Sequence, residues 1–249
     1  MRGLWLKGVS KEKMKSNYRL FCYILTASLA VILFEGCALI GVLGTPTPSE
    51  KMIPAEFKFV ADKSREGRLT PDKKLLVLVN QPSWLNAPPL LRQILTEQIQ
   101  ERLIINAGLK PSNMVSYESL SEFRSKEAAF SSMTAAQIGK ALNADLVLIV
   151  DLTAYRLVNV EDSDYFGGSL SGCTFLIDVA SSDRLWPADV ENKKINVAFD
   201  VESHGQEAAF VRLAAAFAHC TTRFFHDCPS DRFKIAEDKS DSAWSQWGD

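Results

Sequence analysis

Between Pro71 and Pro82 the chain reads Lys74-Leu75-Leu76-Val77-Leu78-Val79-Asn80, an unbroken apolar run of β-favouring residues that predicts a strand buried on both faces. Pro88 and Pro89 follow where a first helical turn would lie and a missing N–H costs nothing. Leu91, Leu95, Ile99 and Leu103 then recur every four positions and Gly108 supplies a stop, which predicts an amphipathic helix. Met114 to Tyr117 predicts a short strand. Ser119-Leu120-Ser121-Glu122 and Thr134-Ala135-Ala136-Gln137 both fit the capping-box pattern and predict two short helices. Asp145 to Leu152 is apolar on both sides at first and alternates later, as a central strand running toward an edge would.

The second half carries antiparallel signals. Cys173, Phe175, Ile177 and Val179 alternate with Thr174, Leu176, Asp178 and Ala180, and Ser181-Ser182-Asp183 turns the chain into Arg184-Leu185-Trp186. Ile195, Val197, Phe199 and Val201 alternate with Asn196, Ala198, Asp200 and Glu202. Ser203-His204-Gly205-Gln206 reads as a further capping box, opening a helix with Phe210, Leu213, Ala214, Phe217, Thr221 and Phe224 on one stripe and its end marked by Pro229. Early strands alternating with helices imply parallel pairing, and later hairpins imply antiparallel additions. The expected fold class is α/β: a mixed parallel/antiparallel sheet of about five strands packed by helices, in a single domain over residues 73–228, with 229–249 a polar, disordered tail.

The formal net charge of −2 conceals an asymmetry. Residues 1–36 hold six basic and two acidic side chains, so the rest of the chain carries −6. A body this acidic is a poor counterion for phosphate backbones, and no cluster of Arg and Lys interleaved with aromatics follows, so nucleic acid is not an expected partner.

Candidate chemistry changes the picture little. The three histidines, His204, His219 and His226, fall on or beside the last predicted helix; His219 and His226 can share a face there, but Cys220 and Asp227 point about 100° away, which is no metal site. Cys220 and Cys228 on one helix would stand about 12 Å apart, too far to bridge. Cys173 pairing with either stays open, and small buried hydrophobes are the plainer reading. Glu161-Asp162-Ser163-Asp164 lacks the alternate ligands of a calcium loop and reads as a hairpin tip, followed by Tyr165 and Phe166, which would be exposed there as a partner contact. The glycines from Gly167 to Gly172 precede no helix and cradle no phosphate. Neither a nucleophile elbow nor a redox cysteine pair is present, so no catalytic residue, metal or cofactor is assigned and no enzyme is expected.

Leu20 to Phe34 is a charge-free run of fifteen residues behind Lys15 and Arg19, the length of a secretory h-region and short of the about 20 that a spanning helix needs. Extending it through Leu43 would bury Glu35. With Leu33-Phe34-Glu35-Gly36-Cys37 behind it, the segment resembles a bacterial lipoprotein signal peptide; Gly36 and Cys37 match the last two positions of the family's box, while Phe34 and Glu35 depart from it. The resemblance implies cleavage after Gly36, a lipidated Cys37 as the membrane attachment, and a signal peptide over 1–36, in which Met14 would be the more typical start. Gly44 to Lys51, GTPTPSEK, then reads as a tether, and the whole of 37–72 as lipidated cysteine plus flexible linker.

Ile138 to Asp151 taken with Phe175 to Trp186 resembles the α/β domain of curli-secretion lipoproteins, penicillin-binding-protein activator lipoproteins and the N-terminal domain of the Tol-system translocation protein. That resemblance implies a non-catalytic envelope domain, facing the periplasm and more in keeping with the outer than the inner membrane, that assembles or recruits envelope proteins, with a homo-oligomer open. The chain lacks the extra long amphipathic strands of the pore-forming members. A membrane-attached hydrolase and a signal-anchored structural protein are the competing expectations.

Overall fold

The two apolar runs lie side by side at the centre of one sheet. In the computed structural model, which describes residues 51–59, 73–160, 164–188, 191–202 and 205–240, strand β1 (Met52–Ile53) precedes β2 (Leu75–Asn80), and β2 pairs in parallel with β3 (Leu146–Asn159), from Leu75 opposite Leu146 to Asn80 opposite Asp151. Strand β4 (Tyr165–Asp178) returns antiparallel to β3. The far edge of β4 is shared: β6 (Lys193–Glu202) takes Tyr165 to Thr174, and β5 (Arg184–Trp186) takes Leu176 and Ile177. The fold is the expected mixed α/β domain around a five-stranded sheet.

Period-2 side chains divide β2 between two cores. Leu75, Val77 and Val79 meet Leu91, Leu95, Ile99 and Leu103 of α1 (Leu90–Ala107) and Leu213 and Phe217 of α4 (Gln206–Thr222). Leu76 and Leu78 meet Leu120 of α2 (Tyr117–Lys126) and Ile138 of α3 (Ala135–Ala141). Each such leucine is worth about 1.5–3 kcal/mol when fully buried. Every hydrophobic residue of the β2 run is therefore used, which is why the run shows no alternation.

Local boundaries follow the capping chemistry. Thr134 forms the full capping box of α3: its hydroxyl accepts from Gln137 N at 3.3 Å and its own N–H donates to Gln137 Oε1 at 2.8 Å. Gly108, at φ 71°, closes α1 in the left-handed conformation that glycine tolerates best. Three expectations fail. The cap of α2 is Ser116, accepting from Ser119 N, so the helix starts at Tyr117, and the strand predicted over Met114 to Tyr117 shrinks to one bridge between Met114 and Leu75. The cap of α4 is Gly205, so the Ser203 capping box is not what opens that helix; Ser203 and His204 lie outside the described residues.

The hairpin of β3 and β4 is longer than the pattern predicts, with fourteen residues in each strand. The register shifts between Leu152 and Ala154, so Thr153 is an extra residue and odd positions face α4 beyond it where even ones did before. Gly172 sits opposite this bulge. A Cβ there would come within 2.7 Å of the Asp151 carbonyl oxygen, which no side-chain rotation relieves.

Both ends of the described chain are packed, against expectation. Residues 51–59, read as linker, belong to the domain: β1 pairs with β7 (Cys228–Pro229), Glu56 and Phe57 N–H donate to Phe224 O, and Phe59 is buried in the core. Glu56 accepts from Trp186 Nε1 at 2.9 Å and Lys193 Nζ at 2.8 Å. The polar tail is no tail over 229–240. A short helix α5 (Ser230–Phe233) leads to a segment lying along β6, where Ala198 N donates to Glu237 O and Lys239 N to Asn196 O. Residues 241–249 lie outside the described part.

One buried cation holds this arrangement. Arg223, in the 3-10 turn Arg223–Phe225 that follows α4, has its guanidinium between the rings of Phe224 (4.9 Å) and Phe233 (4.6 Å). Its Nη1 donates to Phe233 O at 3.0 Å and pairs with Asp238, the two side chains being 2% and 1% exposed. Removing one partner strands a charge away from water, a cost of about 3–5 kcal/mol, whereas replacing both by apolar groups of similar volume is close to neutral. In urea unfolding, Asp238→Ala is therefore expected to lose about that much stability and the double variant Arg223→Met, Asp238→Leu to recover most of it.

Candidate interaction surface

Beyond Leu152 the sheet outgrows its cover. Strand β2 stops at Asn80, while β3, β4 and β6 continue as a three-stranded wing. One face of the wing packs on α4: Leu170 and Val197 are fully buried there, and the Tyr155 ring meets Phe210 edge-on at 6.4 Å. On that face Gly168 packs closely under the Phe199 ring, whose Cζ would lie 2.9 Å from a Cβ there. The opposite face carries Ala154, Arg156 and Val158 from β3, Gly167, Ser169 and Ser171 from β4, and Asn196, Ala198 and Asp200 from β6. Neither α2 nor α3 reaches these residues into its core. A shallow cavity of about 580 Å³ runs along this part of the wing, with Arg156, Val158, Ser169 and Ala198 in its lining.

Hydrophobic side chains are exposed at the tip. Tyr165 is 49% exposed, Val160 40% and Val158 39%. Phe166 is not: at 3% exposure it turns into the core, because neighbours on a strand point to opposite faces. Tyr165 alone of the two aromatic contacts expected from sequence is available on the surface. Asp164 is exposed, and Glu161 to Ser163 lie outside the described residues, as do Gly36 and Cys37.

The residues considered for chemistry are brought to separate places. His219 sits on α4, but His226 lies past the helix end in extended backbone, so the two do not share a helical face as the pattern suggested. Cys173, Cys220 and Cys228 are all free thiols. Burial pushes the Cys220 thiol up to about 12, and burial also raises Cys173 and Cys228, so none is poised as a thiolate nucleophile. Among the described residues no group of three His, Cys, Asp or Glu side chains could hold a metal ion, and no helix is long and apolar enough to cross a membrane.

The charged groups near the domain's ends have structural partners. Hydrogen bonding from Lys58, together with Ala55 N–H, holds the Asp227 carboxyl below the usual range. Burial would raise Asp238, but Arg223 and Ser240 outweigh it and the carboxyl stays low. Both described histidines titrate below 6.5: burial lowers His219, helped by Arg102 and opposed by the Phe233 backbone, and burial lowers His226, whose Nδ1 lies 3.2 Å from Thr222 O.

No protein-family model matches the chain, and no curated protein matches it. Among solved structures it is similar to the lipoprotein GNA1162 from Neisseria meningitidis, at 14% identity over 58% of this chain and 94% of that one, with a TM-score of 0.38. It is also similar to the PelC dodecamer from Paraburkholderia phytofirmans, at 12% identity over 64% and 93% with a TM-score of 0.40. The C-terminal domain of LpoB from Salmonella enterica shares 19% identity over 54% and 86%, with a TM-score of 0.29. Scores below 0.5 assign this chain neither a family nor a role.

The histidine environments set a pH dependence. A histidine whose folded value is depressed stays neutral in the fold while the unfolded chain takes up a proton, so stability is full above about 6.5 and falls as pH drops below it toward the lowered folded values. The urea midpoint is expected to decline through that window, and the double variant His219→Gln, His226→Gln to flatten the decline while keeping the steeper loss below about pH 4, where the depressed carboxylates protonate.

Proposed function

We propose that this chain is a lipid-anchored accessory protein of the bacterial cell envelope, facing the periplasm, that holds or assembles partner proteins and performs no chemistry of its own. The observation that carries this reading is the polarity of the domain. The described chain enters through residues 51–59, packed against Trp186 near the Asp178 end of β4, and the wing with its exposed tip lies at the Tyr165 end. Fourteen residues at about 3.3 Å each separate the two ends by roughly 40 Å. An anchor at Cys37 would act through Ala38 to Glu50, thirteen residues able to reach about 45 Å when extended. Attachment through one end and an open protein surface at the other suit an adaptor.

The bulk of the domain supports the same division. The acidic body described above favours protein partners over nucleic acid. Exposed tyrosine and valine beside small residues give a surface that a partner can approach closely without displacing long side chains.

Metabolic labelling with a palmitate analogue is expected to mark the wild type and to miss Cys37→Ser, with the variant moving from the membrane to the soluble fraction. Label retained by the variant overturns the anchor. A photo-crosslinking residue at Tyr165, used in intact membranes, is expected to give discrete adducts with another envelope protein, and the same residue at Ile105, 70% exposed on α1, to give none. Equal adduct patterns at the two positions overturn the adaptor assignment.

A further inference from the structure

The hydrogen-bond alternation of the wing shows which of its edges is open. Val160 N donates to Tyr165 O, which makes that pair a hydrogen-bonded one; antiparallel alternation then sends the N–H and C=O of Val158, Arg156 and Ala154 toward β4 as well. On β4, Tyr165, Gly167, Ser169 and Ser171 face β3 and the even residues face β6. On β6 the even residues must therefore point outward. That is what Ala198 N to Glu237 O and Lys239 N to Asn196 O show independently. The outer edge of β6 is thus partly covered by the chain's own 237–240 segment.

The outer edge of β3 is not covered in this way. Tyr155, Leu157 and Asn159 direct their backbone groups away from β4, on the side where β2 has already ended at Asn80, and among the described residues no hydrogen bond reaches them there. Three consecutive outward-facing residues form a template for one more strand. Arg156 lies between them on the open face, exposed and without an ion pair among the described residues. Relative to an added antiparallel strand, Arg156 occupies a non-hydrogen-bonded position, where side chains of opposed residues stand closest, with Cα atoms about 4.5 Å apart.

From this geometry we infer that the free edge of β3 is a strand-addition site for an extended acidic segment of a partner protein, in which a Glu or Asp opposite Arg156 is flanked by apolar residues opposite Tyr155 and Leu157. The flanking apolar residues follow from the pleat: positions opposite Tyr155 and Leu157 point to the face packed on α4 and extend that core. A second copy of this chain offers Arg156 no counter-charge in either two-fold register: pairing centred on Arg156 sets it against its own copy, where like charges are destabilising, and pairing centred on Leu157 sets it against Val158. The inference rests on the adaptor reading for its biological sense, but its site is independent of the anchor.

The test uses the full chain carrying Cys37→Ser and two fluorescent peptides, Thr-Val-Glu-Val-Thr and Thr-Val-Lys-Val-Thr, titrated at low ionic strength with amide hydrogen exchange on the same samples. The acidic peptide is expected to bind about fivefold or more tighter than the basic one and to protect the amides of Tyr155, Leu157 and Asn159. Asn159→Pro removes one outward N–H at an exposed position of an edge strand, where proline is tolerated, and is expected to weaken binding at least tenfold. Arg156→Glu is expected to reverse the peptide preference. Binding unchanged in Asn159→Pro, protection at other amides, or no binding by either peptide overturns the site. A concentration-dependent dimer that protects the same three amides overturns the acidic occupant in favour of a second copy. A wild-type chain that takes no palmitate label while edge binding is intact fails the anchor alone, and the converse fails the edge alone.

Discussion

A guanidinium buried to 2% exposure must find its counter-charge and acceptors inside the protein, and that demand organises the domain's far side. Arg223 ends α4 and finds its partners in residues that come after it, Phe233 O and Asp238, so the chain is held past Pro229. Once Asp238 is fixed, Glu237 and Lys239 lie alongside Ala198 and Asn196 and occupy part of the outer edge of β6. The same turn offers Phe224 O to Glu56 and Phe57 and packs Phe225 against Phe57, Phe59 and Trp186. Both ends of the described chain are held at one site, and part of the β6 edge is taken up by the protein itself, while the β3 edge beyond Asn80 is not.

Which residues that open edge displays depends on a single bulged residue. Were Thr153 taken into regular pairing instead, the even positions of β3 would go on facing α4, and Arg156 and Val158 would be driven into the core while Tyr155 and Leu157 turned outward. The bulge reverses the parity, keeps Tyr155 against Phe210, and delivers Arg156 to the uncovered face. Its cost is borne locally: the Asp151 carbonyl is pushed so near β4 that only glycine fits at position 172.

The sequence was most legible where one interaction decided the outcome. Leu75 to Val79 had to be a doubly buried strand, and the Thr134 box and Gly108 stop marked their helix ends because a specific backbone group needed a specific partner. It was least legible where distant residues decided. The bulge breaks the alternation of β3 and the glycines of β4 lower its strand propensity, so the wing from Thr153 to Leu170 shows no clean period. The burial of Phe57, Phe59 and Asp238 depends on aromatic rings and a guanidinium that only the fold brings near. The exposed Tyr165 could be read from its place at a hairpin tip, but the open edge could not, since it arises from β2 ending earlier than its neighbour.

An unpaired edge is a hazard unless something restricts what can pair with it, and the features that restrict this one also set its selectivity. Three outward-facing residues are few, and the adjoining bulge twists the strand away from the flat geometry that indiscriminate stacking requires. Arg156 repels its own copy in the pairing centred on it, and a lysine-bearing strand as well. A neutral strand gains only backbone hydrogen bonds, whereas an acidic one adds a charge pair at the closest cross-strand distance. Neither two-fold self-pairing gives Arg156 a counter-charge, so the preference for an acidic strand over a second copy rests on that one side chain.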